Sequence, residues 1–378
     1  MNIKSFFFSA FLIFLLLDLF SQETNSGERY TAPDYFKKEE IDYKINVKYG
    51  EAKNWKGEYN ELTVNIYFPK RTIDKLKNRP FIVLAHGGGF HREGENGNKN
   101  QLNDLCFSLA KRGFVTATID YRVGWEDEDN DIYRKGKINP TAVYAVYRGY
   151  QDGRAAMRYF VENAEHYGID TNAIFMGGRS AGGDISMATA FLSQQDIDVS
   201  YKGIVPDGFT KKFGSVDSSS NSIYSTYKIA GIISMWAPLA DTSFISKEEA
   251  QSIAVVLFHG TDDSIVPYTV FSVPEYPYTR FGSYCIAKRY KHLGGCYQLN
   301  TKIGGKHSED FEDNFLAEKI SGFVLNVLTK NCGQEECSTE LSGKKISKKV
   351  IASSAVAIVF LTLVFFMSRK RKIKNHGR

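Results

Sequence analysis

Residues that bind metals or cross-link chains are scarce here: 378 residues hold five cysteines and seven histidines. The histidines are scattered and the cysteine spacings match no zinc pattern, so neither a metal nor any other cofactor is expected. No internal repeat is present, which excludes a solenoid or a propeller. The body also lacks a net positive charge. The formal net charge is +5, but the stretch from Gly343 onward holds ten Lys and Arg and no Asp or Glu, which leaves 38 basic against 43 acidic residues before it. The main argument for a nucleic-acid partner therefore falls away. An oxidising compartment would permit disulfides. Cys285 with Cys296 and Cys332 with Cys337 are plausible local pairs, with Cys106 left over in a helical stretch; buried thiols are the alternative.

Long apolar runs are confined to the two ends. Residues 1–22 read as a signal peptide: Lys4 supplies a positive start, Phe6–Leu17 is almost wholly apolar, and Ser21 or Gln22 could mark cleavage. Asp18 interrupts the run and argues against an uncleaved anchor. Val350–Met367 is 18 residues without a charge, flanked by Lys344, Lys345, Lys348 and Lys349 before it and a basic cluster from Arg369 after it. As a helix it spans about 27 Å, close to the hydrocarbon thickness of a bilayer. The expected organisation is signal peptide 1–22, catalytic domain 23–330, stalk 331–349, transmembrane helix 350–367 and basic cytoplasmic tail 368–378. The domain would then face the cell surface or periplasmic side of a membrane. A later-cleaved surface-sorting signal ranks second for this end, and the tail beyond the run argues against a GPI signal.

Between the ends, Ile41, Tyr43, Ile45, Val47 and Tyr49 alternate with polar residues, as do Leu62, Val64, Ile66 and Phe68. Both read as half-buried strands of an antiparallel entry. From Phe81 on, apolar strands alternate with helices. Phe81–Ala85, Phe114–Asp120, Ala173–Met176, Ile229–Trp236, Ile253–Phe258 and Tyr297–Leu299 read as strands. Leu102–Lys111, Tyr150–Glu165, Phe281–Lys291 and Phe311–Leu328 read as helices. That alternation predicts an α/β fold with a mostly parallel, doubly wound sheet. Gly124–Pro140 and the Ser-rich Ser193–Lys228 interrupt it. Both leave the sheet near strand ends and are expected to border the substrate pocket, with a disordered insert as the alternative for the second. Deleting Ser215–Ser222 should then change substrate preference more than stability.

Gly178-Arg179-Ser180-Ala181-Gly182 follows a strand and precedes a helix-compatible run. This G-x-S-x-G context is that of a nucleophile elbow, a strained turn that lifts a serine hydroxyl clear of the sheet. The pattern alone is weak. Upstream, however, His86-Gly87-Gly88-Gly89 follows a strand, and such a turn leaves backbone N–H groups uncovered to meet an oxyanion. Downstream, Asp262 and Asp263 follow the strand ending at His259, and Asp241 follows another. His307 lies on a loop before the last helix. His86 and His259 are tied to strand-end turns, His91 and His166 lack such a late strand-to-loop setting, His292 reads as solvated and His376 lies in the tail. The order Ser, Asp, His is an α/β-hydrolase order.

On these motifs the chain resembles the α/β-hydrolase superfamily, in the carboxylesterase and lipase-like branch with an HGGG turn and a GxSAGG elbow, over roughly residues 40–330. His259-Gly260-x-x-Asp263-x-x-Val266-Pro267 is similar to that family's acid loop. The resemblance implies a Ser180–Asp263–His307 triad, an oxyanion hole from the amides of Gly88, Gly89 and Ala181, and an acyl-enzyme intermediate. Arg179 departs from it, since relatives more often carry an acid, a histidine or an uncharged residue before the nucleophile. The implied function is a serine carboxylic-ester hydrolase for small or polymer-linked esters, with acetylated or feruloylated polysaccharide suggested by the secreted setting. A serine exopeptidase of the same superfamily and a non-catalytic adhesion ectodomain are the alternatives.

Overall fold

A computed structural model describes residues 28–91, 98–126, 140–273, 278–307 and 311–340. Its strands are β1 (Ile41–Lys53), β2 (Tyr59–Pro69), β3 (Arg79–Ala85), β4 (Val115–Ile119), β5 (Ile169–Arg179), β6 (Gly231–Met235), β7 (Ala254–Gly260), β8 (Val270–Val273), β9 (Tyr278–Phe281), β10 (Tyr297–Ile303) and β11 (Gln334–Glu340). Nine of them form one sheet in the order β1-β2-β4-β3-β5-β6-β7-β10-β11, while β8 and β9 make a separate hairpin. β1 pairs antiparallel with β2, and β2 with β4. From β4 through β10 every pairing is parallel. This is the α/β-hydrolase arrangement with an antiparallel N-terminal entry.

β3, β4, β6 and β7 are buried from end to end, as helices on both faces require. Along β3 the side chains alternate between two cores. Phe81, Val83 and Ala85 face one, with residues of α2 (Pro140–Glu162), α3 (Ala181–Phe191) and α4 (Ser283–Leu293). Ile82 and Leu84 face the other, with α1 (Asn103–Lys111) and α5 (Asp313–Leu328). α5 presents Leu316, Ile320, Phe323 and Val324 to it, at helical spacing. The helix expected from Tyr150 starts ten residues earlier, at Pro140, whose fixed φ suits a first helical position. Gly149 and Gly153 weaken the helical pattern of α2 locally. They are there for packing: a Cβ on Gly153 would lie 2.5 Å from Ile185 Cγ2 of α3.

Several expectations are corrected. Cys296 bonds Cys332, with Cα atoms 5.7 Å apart, while Cys106, Cys285 and Cys337 are free thiols. Cys285 sits near the start of α4, about 12 Å along the axis from that helix's own end, so the chain turn to Cys296 carries the two apart. Within the span 331–349 expected to be stalk, Gln334–Glu340 instead forms an edge strand of the sheet, and 341–349 lies outside the described residues. The strand's polar sequence hid it, since an exposed edge strand needs no apolar face. Ser193–Lys228 is no disordered insert. It contains helical turns at Gln194–Ser200 and Thr210–Phe213. Val216 is fully buried and Ser220 Oγ bonds Asp152 Oδ1 at 2.5 Å. Deleting Ser215–Ser222 would therefore strike stability first. Among the described residues no helix is long and apolar enough to cross a membrane. The signal peptide 1–22, the transmembrane helix 350–367 and the tail 368–378 lie outside those residues.

Candidate active site

β5 delivers Ser180 and α3 leaves it. Ser180 has φ 49° and ψ −114°, a conformation sparsely populated by non-glycine residues. Tight backbone packing holds it there. A Cβ on Gly182 would lie 2.1 Å from Ala85 O, and one on Gly178 would lie 2.4 Å from Gly182 C, so only glycine fits at either position. The Ser180 amide donates to Met235 O at 2.8 Å, tying the turn to the end of β6. Ala181 heads α3, where first-turn amides have no carbonyl partner within the helix.

The structure brings Ser180, His307 and Asp263 into one hydrogen-bonded line. Ser180 Oγ lies 3.0 Å from His307 Nε2, and His307 Nδ1 lies 2.7 Å from Asp263 Oδ2. With Nδ1 against a carboxylate it carries the proton, which leaves Nε2 to accept from the serine hydroxyl. Asp263 Oδ1 accepts from the amides of Ile265 and Val266, both at 2.9 Å. The rival acids are elsewhere. Asp262 points to solvent and meets Thr261 Oγ1, and Asp241 caps the turn Thr242–Phe244 through the Ser243 amide. Gly88 and Gly89 follow β3 with φ 114° and 61°, in the left-handed region that glycine reaches without strain. Their loop is braced by Tyr121, whose hydroxyl donates to His86 O at 2.9 Å and whose ring stacks on the His86 imidazole at 4.2 Å. Burial pushes the His86 imidazole down to about 4, so it stays neutral.

A family model described as BD-FAE matches residues 64–272, over half of the chain. The chain belongs to the BD-FAE family. The matched span holds Gly88, Gly89, Ser180, Ala181 and Asp263 and stops short of His307. The chain is 28% identical over 144 residues to Gut esterase 1 of Caenorhabditis briggsae (38% of this chain, 23% of that protein). It is 29% identical over 148 residues to Carboxylesterase 1C of Mus musculus (39% and 24%). It thus spans about a quarter of the length of these curated relatives. Among solved structures, Thermogutta terrifontis esterase 2 phosphorylated by paraoxon aligns at 19% identity and a TM-score of 0.49, covering 76% of this chain and 94% of that one. Family and relatives together make this an α/β-hydrolase of carboxylesterase-like kind.

Around Ser180, Asp263 and His307 of this BD-FAE chain lie groups that motif reading had left aside. His259, fully buried, faces the same carboxylate as His307. Its Nε2 lies 3.2 Å from Asp263 Oδ2 and 2.8 Å from Val266 O. Both are acceptors, so Nε2 carries the proton and Nδ1 accepts from the Ser283 hydroxyl at 2.8 Å. Burial alone would raise the Asp263 pKa; hydrogen bonds from His259 and His307 outweigh it and hold the carboxyl well below the usual range. Trp236, with φ 44°, packs its ring 6.5 Å from His307 and stacks on Phe311. Arg179 lies 5.8 Å over the Trp236 ring and pairs with Asp313 in the first turn of α5. The residue that departs from the family pattern thus clamps the elbow to the helix that follows the His307 loop. The local signal for His259 was its place four residues before Asp263; nothing local pointed to Trp236.

Proposed function

We propose that this chain is a serine carboxylic-ester hydrolase working through an acyl-enzyme. The observation that carries the reading is the unbroken line Ser180 Oγ, His307 Nε2, His307 Nδ1, Asp263 Oδ2, at 3.0 and 2.7 Å. His307 Nε2 takes the Ser180 proton as Oγ bonds to the carbonyl carbon. The amides of Gly88, Gly89 and Ala181 receive the developing oxyanion; one such donor is worth about 3–4 kcal/mol in a measured protease. As the tetrahedral adduct collapses, His307 returns the proton to the departing alkoxide and the alcohol leaves. Water then attacks the acyl-serine by the same proton path, freeing the acid. Asp263 fixes the imidazole tautomer and stabilises the imidazolium without taking the proton itself.

The substrates are small or polymer-linked carboxylic esters, and the apolar end segments of the sequence support a catalytic domain on the outer side of a membrane, tethered by residues 350–367. Carbonate extraction and protease shaving of expressing cells test the tether. A fluorophosphonate probe with a nitrophenyl ester panel tests the chemistry. The full-length protein should label and turn over esters, and Ser180→Ala should lose labelling and about 10⁵–10⁶ of kcat. Unlabelled wild-type protein would support a non-catalytic ectodomain, and peptide cleavage without ester turnover an exopeptidase.

A further inference from the structure

To one side of the elbow lies a cavity of about 570 Å³ that none of Ser180, Asp263 and His307 lines. That volume suits a ligand of one or two rings. Trp55, Tyr59, Trp125, Tyr144 and Phe213 give it aromatic walls, and Arg148 of α2 gives it a guanidinium. Trp125 joins it to the oxyanion turn: its ring lies 4.5 Å from that of His91, two residues past Gly89, and the Gly124 amide donates to Phe90 O at 2.7 Å.

Arg148 is 4% exposed; Glu51 and Glu126 also line the cavity, but Glu51 pairs with Lys48, and Arg148 makes no ion pair with a carboxylate among the described residues. Its Nη2 donates to Gly124 O at 2.7 Å, and its Nε has no partner. Asp152, the acid that acts on it electrostatically, is engaged by Arg122 at 2.8–3.0 Å and by Ser220. Burial, with Arg122 adding repulsion, pushes the Arg148 pKa down to about 10. A buried cation with an idle donor is costly unless an anion completes it. A guanidinium suits a carboxylate, and aromatic faces suit a flat or pyranose ring.

We propose that this cavity binds a ring bearing a carboxylate, a sugar acid or an aromatic acid, with the carboxylate at Arg148 and the ring against the aromatic wall. Binding is read without turnover, so this inference and the ester-hydrolase reading fail separately. Two of the three tryptophans line the cavity, so intrinsic fluorescence reports occupancy. Full-length Ser180→Ala protein is titrated with glucuronate against glucose, and with benzoate against benzyl alcohol. At least one acid should bind about tenfold more tightly than its neutral partner, and which pair shows the preference names the ring. Arg148→Gln should erase the preference while neutral binding persists. Equal binding of acids and neutral partners, no binding of either acid, or a preference that survives in Arg148→Gln overturns the proposal. The acid-against-neutral comparison needs only protein that keeps Arg148, so a poorly folding variant does not blunt the test.

Discussion

The elbow helix and the acid loop each bury an aspartate, and the two are treated in opposite ways. Asp184, four residues past the nucleophile, and Asp263 are both 6% exposed. Burial raises Asp184 to about 6, with Arg280 and a single bond from Tyr150 at 3.1 Å offsetting only part of the cost. Asp263 meets two amides and two imidazoles, and its carboxyl is driven well below the ordinary range. At equal solvent exposure, the partners of Asp263 outweigh the cost of burial and those of Asp184 do not. One aspartate is held ionised for the site; the other sits uneasily in the helix beneath it.

The comparison breaks most sharply on activity. Asp263→Asn should lower kcat by about 10⁴-fold in ester turnover, with the fold intact by circular dichroism. Asp184→Asn should leave kcat within a few fold; a comparable loss would place Asp184 in the machinery. Elbow rigidity comes next. Gly182→Ala forces a Cβ against Ala85 O and should cost about 3 kcal/mol or more in urea unfolding.

The pH signatures are smaller and opposite in sign. A raised carboxyl pKa lowers stability as pH climbs from about 4 to about 6. Asp184→Asn should therefore gain up to about 3 kcal/mol above pH 6 and nothing below pH 4, read from melting curves across pH. For Asp263 the lowered pKa contributes stability that is present above the unfolded value and lost in acid. Removing one of its donors in His259→Leu should give a deficit of about 1–2 kcal/mol that is full above pH 4 and shrinks below it. The same variant should lose about tenfold in kcat through a loosened Asp263. A pH-independent deficit would make His259 a packing residue only.

Much of this was legible along the chain. The β1–β2 entry, the parallel strands, the Ser180 elbow and the Gly88–Gly89 turn show as alternation, apolar runs and glycines at set spacing, because each depends on residues close in sequence. β11 was not legible, since a polar edge strand has no apolar face to betray it. The start of α2 was masked by its turn-rich neighbour and its inward-facing glycines. Gly124–Pro140 and Ser193–Lys228 were marked as pocket borders, and their described parts line a cavity that Ser180, Asp263 and His307 do not.

The chain order alone determined that a strained serine would sit between strand and helix, and that a glycine turn would follow β3, because local sterics leave few residues able to make those turns. Tertiary structure decided the rest: Asp263 over Asp262 and Asp241, the second imidazole on that carboxylate, Cys296 with Cys332, and the buried guanidinium of Arg148 in a cavity whose own acids, Glu51 and Glu126, do not pair with it. Each of those depends on which distant groups a buried side chain meets, and in a low-dielectric interior that meeting sets charge, reach and reactivity.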